Sequence, residues 1–135
     1  MNRAGFDRQI SVVGSIGTMT GASEHLTPPA DSVMAVVAVI GAGTIGLSWA
    51  RLFASYGHPV RIFDPRPDLA TVVADFAAEH PGLASRITRA TSVADAVRGA
   101  GVVQESTPEK LEIKRRLLAD LAAAAPDDAV LLSSS

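Results

Sequence analysis

From Val36 to Ile40 every residue is apolar, without alternation, in a run that opens abruptly at Met34. A strand covered on both faces needs apolar side chains pointing both ways, so this run predicts a central strand of a parallel sheet. The loop Gly41-Ala42-Gly43-Thr44-Ile45-Gly46 follows at once. Beyond it Ile45, Trp49, Leu52, Phe53 and Tyr56 recur at steps of three and four, which sets them on one helical face, and Gly57 supplies the stop. Val60 to Phe63 reads as a second short strand ending at Asp64, because Pro65 and Pro67 forbid its continuation.

Asp68 is the expected cap of a helix reaching about Glu79, after which Pro81-Gly82 breaks the chain and Ile87 to Ala90 forms a third strand. Ser92 opens a short helix to Arg98, Gly99 closes it, and Val102 to Glu105 is a fourth strand. Pro108 suits a first helical turn, and the helix it opens sends Leu111, Leu117, Leu118 and Leu121 toward the core before Pro126. Ala129 to Leu132 makes a fifth strand. Strand and helix alternate throughout, which predicts an α/β fold of the Rossmann type, a doubly wound parallel sheet incomplete at its C-terminal end. Residues 34–135 form this domain, with no separate substrate domain in the chain. Residues 1–33 hold scattered glycines, the Pro28-Pro29 pair and no sustained apolar period, and read as a poorly ordered leader. That leader is either a tail or a product of start-site choice between Met1 and Met34, which the amino-terminal sequence of the native protein would decide.

Composition narrows the ligand. A chain of 135 residues supports one ordinary core, and a formal charge of -2 gives no reason to expect nucleic acid or an anionic membrane as partner. With no cysteine, and with His25, His58 and His80 scattered, thiolate chemistry is excluded and no metal site is expected. No apolar run reaches the roughly 18 residues of a membrane span, and the amino terminus lacks the order of a signal peptide. The expectation is a cytoplasmic protein. An uncovered sheet edge beyond the fifth strand would favour self-association, a homodimer being its simplest form.

The chemistry lies in the strand, the Gly41-x-Gly43-x-x-Gly46 loop, the helix, and the second strand closed by an acid. Gly41 permits the tight turn, Gly43 lets the backbone approach a pyrophosphate, and Gly46 lets the helix lie close to the strand. The unpaired N–H groups at the start of the helix, at Thr44 and Ile45, stabilise the phosphates without a lysine. Asp64 stands 23 residues beyond Gly41, the spacing at which a carboxylate accepts hydrogen bonds from the adenosine ribose. Such a carboxylate repels a 2′-phosphate and favours NAD over NADP, although Arg66 is a guanidinium able to accept that phosphate. Glycines in this order sometimes mark only a turn; strand, helix and terminal acid together favour dinucleotide binding. A flavin would also suit this half of the pattern. At the end of the fourth strand, Gln104-Glu105-Ser106-Thr107-Pro108-Glu109 with Lys114 is either a second ligand-facing loop or an ordinary one in which Glu109 complements a helix dipole and Lys114 is solvated.

These two motifs, with the terminal Leu131-Leu132-Ser133-Ser134-Ser135, resemble the NAD-binding domain of the 3-hydroxyacyl-CoA dehydrogenase family. The Trp49-Ala50 pair and the serine-rich end look most like its carnitine dehydrogenase and lambda-crystallin branch. The resemblance implies oxidation of a 3-hydroxy acid or 3-hydroxyacyl-CoA by hydride transfer to NAD. It places Gly41, Gly43, Thr44, Ile45, Gly46 and Asp64 against the pyrophosphate and adenosine ribose, and Glu109 and Lys114 beside the nicotinamide half. In the family a serine after the fifth strand contacts substrate and a histidine on the next strand removes the hydroxyl proton; Ser135 is at best level with that serine. Glu109 stands only 45 residues beyond Asp64, short of the family's usual interval, which carries a helical pair. None of the three histidines matches the family's base, so the expectation for this chain alone is binding without turnover. The rival readings are a non-catalytic nucleotide-binding module and a flavin-binding oxidoreductase fragment.

Overall fold

The computed structural model describes residues 10–12, 34–107 and 111–134, without the side chains of 10–12 and 111–113. Six strands form one parallel sheet: β1 (Ile10–Val12), β2 (Val37–Ile40), β3 (Val60–Phe63), β4 (Ile87–Arg89), β5 (Val102–Glu105) and β6 (Val130–Ser133). Their spatial order is β1-β6-β5-β2-β3-β4. The helices are α1 (Thr44–Ser55), α2 (Leu69–Glu79), α3 (Val93–Val97) and α4 (Leu111–Ala124).

The unbroken apolar run becomes the central strand for the reason expected. All four residues of β2 are buried, Val37 and Val39 in the core formed with α1 and α2, Ala38 and Ile40 in the opposite core formed with α3 and α4. Trp49 stacks on Phe53, ring centroids 5.9 Å apart, at the centre of the first core, while Leu121 and Val97 anchor the second. Helix α3 starts as its sequence requires, Asp95 N–H donating to Ser92 Oγ at 2.9 Å.

Five details depart from expectation. Ile45 and Tyr56, assigned to the buried face of α1, are 52% and 44% exposed. Tyr56 is the residue that ends the helix, and Ile45 sits in its first turn, beyond the sheet edge, where the core no longer covers it. Asp68 stands at the N-cap of α2 yet makes no capping bond: its backbone, at φ -95° and ψ 20°, is not in the extended conformation of a capping residue, and its carboxylate is turned to Arg66 instead. The third strand ends at Arg89, one residue early, with Ala90 N–H still donating to Ile62 O at 2.8 Å. The last strand runs one residue later than predicted, through Ser133, since a buried acid partners that hydroxyl. Finally, the position beside β6, expected to be an open edge, is filled by Ile10–Val12 in parallel register with Leu131–Ser133. The remainder of the expected leader lies outside the described residues, as do Pro108, Glu109, Ser135 and His25.

Candidate functional site

Parallel pairing brings four strand ends to one level. Ile40 is in register with both Phe63 and Glu105, and Glu105 with Ser133. The residues that follow, Gly41, Asp64, Ser106 and Ser134, therefore leave the sheet side by side. The order of strand addition also reverses between β2 and β5, since β3 and β4 build out one way from β2 and β5 and β6 the other. In open α/β sheets a ligand crevice lies outside the carboxyl ends of the strands at such a switch point. A cleft of about 480 Å³ opens here, lined by Gly43, Thr44, Ile45, Asp64, Arg66, Ser106, Thr107 and Ser134.

The glycines divide the labour. Gly41 has φ +112°, which side chains disfavour, and an added Cβ would lie 2.7 Å from Ser106 O. At Gly46 a Cβ would meet Gly41 O at 1.9 Å, so helix α1 leans directly on the turn. Nothing lies within 4 Å of the Cβ position at Gly43, which faces the cleft with bare backbone. Gly43 is also the N-cap of α1, where no side chain caps the helix and no acid occupies the first turn. The leading N–H groups of a 12-residue helix thus face a cleft free of competing carboxylate from their own turn. This cradle fits a dinucleotide pyrophosphate.

On one wall Asp64 accepts from Ala42 N–H at 2.8 Å through Oδ2 and from Arg66 N–H at 3.0 Å through Oδ1. Each carboxylate oxygen has further acceptor capacity, so both bonds fix the group while leaving it able to take hydroxyls. Arg66 turns its guanidinium to Asp68, with Nε to Oδ1 at 2.6 Å and Nη2 to Oδ2 at 3.0 Å. That hydrogen-bonded pairing raises the arginine above its ordinary value and holds the Asp68 carboxyl below its own.

The other wall rests on Glu105, fully buried at the end of β5. Its Oε1 accepts from Ser133 Oγ at 2.6 Å; its Oε2 accepts from Thr107 N–H at 2.8 Å, Lys114 Nζ at 2.9 Å and the Thr107 hydroxyl. Lys114 also donates to Thr107 O at 3.0 Å. Burial on its own would push this carboxyl up, but the bonds from Ser133, Thr107 and Lys114 outweigh it and hold the group below the usual carboxylate range. Neighbouring Gln104 is equally buried, and its Oε1 has no hydrogen-bond partner among the described residues. At the far rim Trp49 Nε1 donates to Ser134 Oγ at 3.1 Å, tying helix α1 to the end of β6.

Of the residues singled out in the sequence, Gly43, Thr44, Ile45 and Asp64 line the cleft. Gly41 and Gly46 shape it from behind. Lys114 is buried, its ammonium committed to Glu105 and Thr107, and so reaches the cleft through the Thr107 loop. Sequence reasoning gave Ser106, Thr107 and Ser134 no separate role, although each sits at or just past a strand end, the signal that would have found them. Away from the cleft, His58 hydrogen-bonds Ala35 O through Nδ1 at 2.8 Å and His80 packs edge-on against Phe76. No group of three potential metal ligands occurs among the described residues, and no helix among them is long and apolar enough to cross a membrane.

The sequence model described as "3-hydroxyacyl-CoA dehydrogenase, NAD binding domain" matches residues 36–135. The chain belongs to this family. NAD, not a flavin, is accordingly the cofactor of the domain. Over 110 residues the chain is 43% identical to an L-carnitine dehydrogenase of Streptomyces griseus, covering 73% of this chain and 33% of that protein. It is 38% identical over 128 residues to a lambda-crystallin homolog of Bos taurus, covering 82% of this chain and 39% of that one. The 3-hydroxybutyryl-CoA dehydrogenase of Escherichia coli superposes with a TM-score of 0.66 at 28% identity, over 76% of this chain and 25% of the other. The chain thus spans well under half the length of these relatives, and the match places it in the carnitine dehydrogenase and lambda-crystallin branch of the family.

Proposed function

We propose that this chain supplies the NAD-holding half of an oxidoreductase that oxidises a 3-hydroxy acid or a 3-hydroxyacyl-CoA. The observation that carries the reading is the joint placement of Gly43, the uncapped start of α1 and Asp64 on a single cleft at the switch point of the sheet. In this reading Thr44 and Ile45 offer backbone N–H groups to the pyrophosphate, Gly41 and Gly46 hold the turn, and Asp64 takes the adenosine ribose. Exposed Ile45 gives the cleft an apolar surface. Glu109 and Lys114 support the nicotinamide half, Lys114 by fixing the Thr107 loop. Bound NAD would supply the hydride acceptor for oxidation of the carbinol carbon. The alcohol proton needs a base, and neither described histidine lines the cleft. The domain division is residues 34–135 for cofactor binding and 1–33 as leader, with β1 drawn from the latter.

The names of the relatives make L-carnitine and 3-hydroxybutyryl-CoA the substrates to try first. A role in fatty acid metabolism, a cytoplasmic setting and a homodimer belong to the same reading, on family resemblance. The test is calorimetric titration of the purified chain with NADH, followed by incubation with NAD and either substrate. NADH binding without NADH production is the expected result. A yellow, flavin-bearing preparation or a chain that folds and ignores NADH would contradict it.

A further inference from the structure

Asp68 is an acid at a helix N-cap that does not cap. Its carboxylate instead grips the side of the Arg66 guanidinium through two parallel bonds, 2.6 and 3.0 Å. Arg66 lines the cleft beside Asp64, and its own backbone N–H is bound to the Asp64 carboxylate. We propose that Asp68 is a cofactor-selectivity residue: it occupies Arg66 and thereby denies a 2′-phosphate the guanidinium next to the ribose carboxylate. This rests on the reading of the cleft as an NAD site.

The charge balance makes the case. Asp64, Arg66 and Asp68 together carry a net charge of about -1, facing a 2′-phosphate that itself carries about -1.5 to -2. Removing the Asp68 charge brings the trio to neutrality and releases a planar donor fork whose geometry suits phosphate. Two barriers therefore guard against NADPH, repulsion by Asp64 and capture of Arg66 by Asp68. The second is set by a residue that does not line the cleft.

The test compares NADH and NADPH binding by calorimetry in the wild-type chain, Asp68→Asn and the double variant Asp68→Asn/Arg66→Ala. Asn keeps the shape of the side chain, and circular dichroism checks the fold. In the single variant the ratio of NADPH to NADH affinity should rise about tenfold, one charge-assisted contact. In the double variant the gain should vanish. An unchanged ratio in Asp68→Asn, or a gain that survives loss of Arg66, would overturn the selectivity role while leaving the NAD site standing. Failure of the wild-type chain to bind NADH at all would overturn both.

Discussion

Asp64 and Glu105 are two carboxylates carried on strands that flank the same central strand, one just past β3 and the other at the end of β5. Each accepts a backbone N–H from a loop at the cleft. Their surroundings differ entirely. Glu105 is fully buried and saturated by a lysine, two hydroxyls and an amide, whereas Asp64 lines the cleft with two amide bonds and acceptor capacity to spare. The same functional group thus builds one wall and presents chemistry from the other. A buried acid held by four donors, one of them a lysine, is a structural anchor; one held by two backbone amides at the cleft is available to a ligand.

The largest expected effect breaks the anchor. Glu105→Ala leaves the Lys114 ammonium buried without its partner, which costs about 3 kcal/mol or more; chemical denaturation should show a large loss of midpoint. A variant as stable as the wild type would mean that the Thr107 loop, not the acid, holds this wall. Ser133→Ala removes a hydrogen bond to a charged group and should cost about 1.5 to 3 kcal/mol by the same measurement. Loss of Ser134 is milder, about 1 kcal/mol for one neutral bond, and should shift the emission of Trp49, the sole tryptophan, by freeing its indole N–H.

Acid titration sharpens the contrast further. Because the Glu105 carboxyl is held below its ordinary value, its stabilisation is fully present above the unfolded value of about 4.3 and is lost as pH falls through the lower folded value. Denaturation midpoints of the wild type should therefore fall through that acidic window. Glu105→Gln, which has no proton to gain, should be less stable above the window and show a smaller decline within it. Parallel curves would contradict the assignment.

Much of this was legible beforehand, and the reasons are local. The unalternating run from Val36 to Ile40 fits a strand covered on both faces, and the order Gly41, Gly43, Gly46 directly after it fits the tight turn in which Gly46 tolerates no Cβ against Gly41 O. Asp64 was readable from its spacing. Glu105 stands out in the sequence only as part of a motif, because nothing local says that Ser133, 28 residues away, will bond it. Lys114 reads from its residues as a solvated lysine, and as a cofactor contact only by the family resemblance; its pairing with Glu105, nine residues away, depends on the packing of α4. Asp68 read as a cap because its position is that of one, and only the orientation of Arg66 shows otherwise. The seating of Ile10–Val12 beside β6 was not legible, for three residues carry no period of their own.

The central claim is that Asp64 holds the cofactor while Glu105 holds the wall, and calorimetric titration of the wild-type chain and Asp64→Ala with NADH tests it most directly. The account predicts a loss of affinity of about tenfold or more in the variant, as removal of a charged hydrogen-bond acceptor should give, with the fold retained. Equal NADH affinity in the two proteins would contradict it and leave Asp64 as nothing more than the clasp of the Ala42 turn.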